Sequence, residues 1–349
     1  MRRAALAAVL ILGVLEIVLL AGSWNHTDSS RSGRHDDRFQ KGIVFGLFAR
    51  HEAGYIQRNL DEIRQLGADA VSIILPWVTP DVRSTEIRPR GDMTPSDRAL
   101  RETVREAHRR GLRVLLLPLV YVDAMRAGEW RGTLAPSDWH GWFLAYRRMI
   151  LHYARLAENE RAEYLSIGSE LCSTEGRRDD WERILTDVRR IYSGKLTYSA
   201  NWDHRENLSF AGGLDLIGMN AYFELSRDPE AGVVDLRRTW SGIVDEVERW
   251  RARIGKPLVL TEVGYPSREG AASNPWAYDA PGEADPSAQA RCYQAFIEAW
   301  TGDPTLAGVY FYIWWGEGGP GDTGYTPRGK PAERLIAAWF TKDLAGGSR

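Results

Sequence analysis

From Gly42 onward, short apolar runs alternate with amphipathic stretches, and this alternation limits the fold more than any other feature of the chain. The apolar runs are Ile43–Phe48, Ala70–Leu75, Val114–Leu117, Tyr164–Ile167, Leu196–Ala200, Leu214–Met219, Leu258–Thr261 and Gly308–Tyr312. Short apolar runs bounded by turn residues read as strands buried on both faces. Helical segments lie between most of them, at Tyr55–Leu66, Ser96–Arg110, Trp139–Ala157, Asp180–Tyr192, Trp240–Ile254 and Ser287–Trp300, and Pro331–Phe340 closes the series. Gly67 and Gly111 fit helix stops, and Ser96 and Asp180 fit N-caps. Strands separated by helices imply a parallel sheet, and a count of eight suggests closure into a (β/α)8 TIM barrel. The weakest joint is Trp202 to Gly213, which holds little or no helix. A doubly wound open sheet is the alternative, but it carries a glycine-rich phosphate turn after its first strand. Gly46-Leu-Phe-Ala-Arg-His51 is not such a turn.

The 349 residues, 44% of them hydrophobic, suffice for one large core, so residues 42–342 are read as a single catalytic domain with a short tail at 343–349. The start differs in kind. Met1-Arg2-Arg3 precedes a stretch from Ala4 to Ala21 that is apolar except for Glu16. Residues 1–22 are expected to be a signal peptide or a membrane anchor, and either one puts the rest of the chain outside the cytoplasm. Residues 23–41 are polar and aperiodic, as in a flexible linker. Asn25-His-Thr27 and Asn207-Leu-Ser209 match the glycosylation triplet, which matters only in a eukaryotic secretory host. A net charge of −2 with scattered basic residues argues against a nucleic-acid partner. The two cysteines, Cys172 and Cys292, form neither a disulfide framework nor a zinc spacing, and at most a single bridge. None of the 7 His falls at a metal-ligand spacing, so no cofactor is expected.

In such a barrel the active site is built at the C-terminal ends of the strands. Those ends carry two carboxylates, Glu170 after Tyr164-Leu-Ser-Ile-Gly-Ser and Glu262 after Leu258-Val-Leu-Thr. Around them stand amides and aromatics: Phe48, Trp77, Tyr121, Asn201, Trp202, Asn220, Tyr222, Trp314 and Trp315. Aromatic rings pack on the C–H faces of a sugar while amides and hydroxyls bond its polar edge. Glycoside hydrolysis needs one carboxyl group protonated and one ionised. Glu170 and Glu262 are therefore the candidate catalytic pair. Trp77, Asn201, Trp202, Asn220, Tyr222, Trp314 and Trp315 are the candidate substrate-binding residues. Spacing does not say which glutamate has which role.

Thr261-Glu-Val-Gly-Tyr265, Ser169-Glu170 and Gly218-Met-Asn-Ala-Tyr-Phe223 resemble the clan A glycoside hydrolases. Within that clan the chain is most similar to glycoside hydrolase family 113, the β-mannanase family. Trp240-Ser-Gly-Ile-Val-Asp245, Gly255-Lys-Pro-Leu-Val-Leu260 leading into Thr261, Gln289-Ala-Arg-Cys-Tyr293 and Thr326-Pro-Arg-Gly-Lys-Pro-Ala-Glu333 carry the likeness from about Gly42 to Phe340. The resemblance implies that Glu170 is the general acid/base and Glu262 the nucleophile of a retaining enzyme acting on β-1,4-mannan or a related β-linked polymer. Most clan A members place Asn before the acid/base, where it binds the sugar 2-hydroxyl. This chain has Ser169 there, as family 113 does, and Asn201 or Asn220 is left to substitute.

Other groups have a plainer reading. Glu86, Glu175, Glu224 and Glu317 sit in loops and read as surface or subsite carboxylates, with Glu317 the best rival. Trp139, Trp142, Trp181, Trp240, Trp250 and Trp300 lie on helices and read as packing residues. His108, His140 and His152 read as structural, whereas His204 stands near the mouth. Arg50-His51 after the first strand lines either a subsite or a solvated loop. The Gly270–Asp285 loop is the expected wall of the groove, which bears on endo against exo action. A non-catalytic carbohydrate-binding protein on the same barrel and an exo-acting β-glycosidase of other specificity are the competing functions.

Overall fold

The computed structural model describes residues 38–48 and 51–342. The expected leader, nearly all of the linker, Arg50 and the 343–349 tail lie outside the described residues. Eight parallel strands close into a barrel in sequence order. They are β1 (Gln40–Phe45), β2 (Ala70–Thr79), β3 (Arg113–Val122), β4 (Tyr164–Ser169), β5 (Lys195–Asn201), β6 (Ile217–Asn220), β7 (Leu258–Val263) and β8 (Leu306–Trp314). Seven α-helices stand among the described residues: α1 (Tyr55–Gln65), α2 (Asp97–Arg109), α3 (Trp139–Glu160), α4 (Arg178–Arg189), α5 (Val233–Ile254), α6 (Pro286–Trp300) and α7 (Pro331–Phe340). Closure excludes the open doubly wound sheet. Between β5 and β6 the helix is replaced by two short turns, Arg205–Asn207 and Ala211–Gly213, the joint the sequence marks as weakest.

Alternate residues of a strand point to opposite faces, and the barrel has two apolar layers accordingly. Val44, Ala70, Leu115, Tyr164, Val259 and Tyr310, from six different strands, pack together inside. Ile43, Phe45, Val71, Ile73 and Leu75 pack outward with the helices, beside the buried Trp142, Trp181, Trp240, Trp250 and Trp300. No helix among the described residues is long and apolar enough to cross a membrane.

Several bounds differ from expectation for physical reasons. β1 begins at Gln40 because its polar start is used: Tyr310 donates to Gln40 Oε1 at 2.7 Å, and Lys41 Nζ donates to the Phe340 carbonyl at 2.5 Å. β6 begins at Ile217 because Asp215 makes a turn there, accepting from the Leu196 N–H at 2.6 Å. α5 starts at Val233, ahead of Trp240, since its first turns bury little beyond Leu236. Ser96 caps α2 as expected, accepting from Ala99 N. Asp180 is not an N-cap. It lies with Asp179 in the first turn of α4, where carboxylates favour the helix's positive end. Cys172 and Cys292 are both free thiols.

Candidate active site

Both glutamates follow an irregularity in their ladder. On β4 four residues, Ser166 to Ser169, span the three from Thr197 to Ser199. On β7 the partner of Asn220 is Glu262 although the partner of Met219 is Leu260. Each strand thus carries one extra residue just before its carboxylate, and such bulges re-aim the side chains that follow. Glu170 also has φ 55°, a left-handed conformation that costs a non-glycine residue about 1–3 kcal/mol.

Asn220 stands next to both glutamates, bonded to one and paired in the ladder with the other. Its Nδ2 donates to Glu170 Oε1 at 3.0 Å, and its Oδ1 accepts from Thr261 Oγ1 at 2.8 Å, which fixes the amide's orientation. Its second N–H donates to Ser169 Oγ at 3.3 Å, and Glu262 is the ladder partner of Asn220 on β7. Tyr222 donates to Glu262 Oε2 at 2.7 Å. On the other side Arg131 approaches Glu170 Oε2, with Nε at 3.1 Å and Nη2 at 2.9 Å. Glu170 and Glu262 are 6% and 5% exposed, so these contacts operate largely out of water. Burial, and next the charge of Glu170, push Glu262 up to about 7, against the opposing pull of Tyr222, Arg131 and Asn220.

The expected binding residues divide. Asn220 and Tyr222 touch the carboxylates directly. Asn201 ends β5 beside Asn220 in register. Trp202 stacks on Trp276 of the Gly270–Asp285 loop, with ring centroids 5.4 Å apart, so that loop does reach the mouth. Trp315 is exposed and meets Phe48 edge-on at 5.4 Å. Trp77 and Trp314 do not join the ring. Trp77 has the outward parity of Val71, Ile73 and Leu75, and its Nε1 donates to the Tyr153 hydroxyl of α3 at 2.9 Å. Trp314 is buried against α1, where Nε1 donates to Glu62 Oε2 at 2.9 Å and the Arg328 guanidinium covers its ring. Glu86 and Glu317 are exposed, and Glu224 pairs with Arg227. His204 is exposed beside Asp203. Glu175, read as a loop carboxylate, is fully buried behind Glu170.

Sequence reasoning missed Arg131, Tyr312 and Tyr325. Arg131 belongs to a short turn, Arg131–Thr133, in an aperiodic stretch with nothing to mark one arginine among several. Tyr312 and Tyr325 flank Tyr222, each with its ring centroid 6.1 Å away. Tyr312 follows the inward parity of Tyr310, a signal the alternation of β8 does contain.

Residues 43–323 match the profile of glycoside hydrolase family 113. A β-1,4-mannanase of that family, solved as a complex, superposes with a TM-score of 0.77 at 26% identity, covering 87% of this chain and 99% of that one. The family 113 β-mannanase from Alicyclobacillus acidocaldarius in complex with ManMIm gives 0.76 at 28% identity, over 87% and 97%. A family 5 enzyme from Streptomyces cattleya in complex with Manβ1-4GlcNAc shares the fold, with a TM-score of 0.59 at 15% identity over 86% of this chain and 79% of that one. No match is found among curated protein sequences.

Proposed function

The chain belongs to glycoside hydrolase family 113 and is a glycosidase, and on that premise we propose that it is a retaining, endo-acting β-1,4-mannanase whose catalytic pair is Glu170 and Glu262. The observation that carries the reading is a pair of buried carboxylates at the C-terminal ends of β4 and β7, one bonded to the Asn220 amide and the other the ladder partner of Asn220. Double displacement needs two such groups close enough to act on one linkage, about 5–5.5 Å apart.

In the first step Glu170 gives its proton to the glycosidic oxygen while Glu262 attacks the anomeric carbon. In the second, Glu170 takes a proton from water, which displaces Glu262 from the sugar. Burial, and next the negative charge of Glu170, hold Glu262 up to about 7. Placing the shared proton on Glu170 removes that like charge, and Tyr222, Asn220 and Arg131 then favour an ionised nucleophile. The scissile oxygen takes the place of the Arg131 guanidinium at Glu170 Oε2. Trp202 with Trp276, and Trp315 with Phe48, supply aromatic faces for sugar rings on either side of the cleft. The extracytoplasmic location, the leader and the domain limits are proposed on the sequence alone.

The test is the anomeric configuration of the first product from mannotetraose, followed by proton NMR before mutarotation. The β anomer appearing first supports retention. The α anomer appearing first overturns the mechanism, and no cleavage overturns the substrate.

A further inference from the structure

We propose that Glu175 is a positioning residue for Glu170, acting through the Tyr198 hydroxyl on the left-handed turn that carries the acid/base. This rests on the role proposed for Glu170. A non-glycine residue at φ 55° stays there only where its surroundings determine the backbone. Two main-chain N–H groups do so here. That of Glu170 donates to the Ser199 carbonyl at 2.8 Å, and that of Leu171 donates to the Tyr198 hydroxyl at 2.8 Å. A phenol has one proton and accepts only through its lone pairs. Tyr198 faces a lone pair to Leu171 because its proton goes elsewhere, to Glu175 Oε1 at 2.7 Å. Glu175 therefore sets the direction of the hydroxyl that holds the turn.

The relay is closed to solvent, with Glu175 and Tyr198 both at 0% exposure. The backbone of Glu175 is held by Ser209, whose hydroxyl donates to its carbonyl at 2.6 Å. Space around the relay is tight, since a Cβ on Gly168 would lie 2.6 Å from the Tyr146 hydroxyl and 2.9 Å from the Tyr198 ring. Glu175 Oε2 makes no hydrogen bond among the described residues. A buried carboxyl with an unsatisfied oxygen is destabilising, and an apolar residue of like size would pack there at lower cost. Its presence is accounted for by the hydrogen bond it accepts from Tyr198. Burial raises Glu175 to about 7, opposed by Tyr198 and His204 and reinforced by Glu170 and Asp203; the Cys172 thiol also faces it. Oε1 accepts in either protonation state, so the relay holds across the neutral range.

The experiment compares kcat/KM on mannotetraose, whose leaving group must be protonated, with that on 2,4-dinitrophenyl β-mannobioside, whose leaving group needs no proton. Glu170→Ala is the reference and loses far more on the tetraose. Glu175→Leu and Tyr198→Phe are expected to show the same bias, with a loss of roughly 10–100-fold on the tetraose per folded molecule. Glu175→Gln recovers most of that loss, because its amide oxygen still accepts from Tyr198. If Glu175→Leu does not fold, Tyr198→Phe, which removes one atom, carries the test. Equal losses on both substrates, or none, in folded variants overturn the positioning role while the Glu170 reading stands. Absence of bias in Glu170→Ala overturns both.

Discussion

The two ends of this barrel bury charge in opposite ways. At the N-terminal end Arg113 is 6% exposed, yet it is well matched: it donates to Asp69 Oδ1 at 2.7 Å and to the Arg38 and Phe39 carbonyls at 2.9 and 2.8 Å. At the C-terminal end two buried carboxylates share one site, a single guanidinium contacts Glu170, and the other carboxyl, Glu262, is driven up to about 7. The first arrangement holds strands together. The second leaves charge unbalanced, and perturbed titrations of that kind gather at functional sites.

Substitutions at the two ends should separate activity from stability. The largest effect is expected from Glu262→Gln, which should lower kcat by roughly 10⁴-fold or more while mannotetraose binding, read by calorimetry, persists. Wild-type turnover by that variant would remove the mouth's distinction. Arg113→Met should do the reverse. It leaves Asp69 without its partner, and since Asp69 is 28% exposed the loss is discounted to about 2–3 kcal/mol in denaturant unfolding, with kcat per folded molecule unchanged. Arg131→Ala removes a positive charge that lowers Glu262, so the acidic limb of the kcat/KM profile should move to higher pH. A shift to lower pH would contradict the assigned electrostatics.

The smallest effect concerns stability against pH. The folded state raises Glu262 and Glu175 above their ordinary value of 4.5, each to about 7. Between those values the folded protein binds more protons than the unfolded chain, so stability is fully present below 4.5 and falls as pH rises through 7. Glu262→Gln and Glu175→Gln should therefore melt above wild type by a few degrees at pH 8, and by much less at pH 4.5. A constant difference across that range would show that neither carboxyl is raised by folding.

Much of this was legible in the chain. Eight apolar runs and their helices specify the barrel, and closing two of those runs on glutamate marks the candidate site. Tyr222 is identifiable because it follows a strand end two residues after Asn220. What failed was direction. Trp77 and Trp314 sit at strand ends but face helices, and the parity that decides this depends on where bulges fall, which is a matter of pairing between strands. Arg131 arrives from an aperiodic turn, so no local pattern reports it. Glu175 was hidden for a different reason: a carboxylate in a polar loop looks solvated until the fold places Tyr198 beside it.

The most direct measurement is covalent trapping. A 2-deoxy-2-fluoro-β-mannosyl fluoride slows the second step more than the first, so a nucleophile accumulates as its glycosyl ester, and tryptic digestion with peptide mass spectrometry locates it. The ester is predicted on the peptide Ile254–Arg268, at Glu262. Labelling at Glu170, at Glu175 or at any other carboxylate would contradict the assignment.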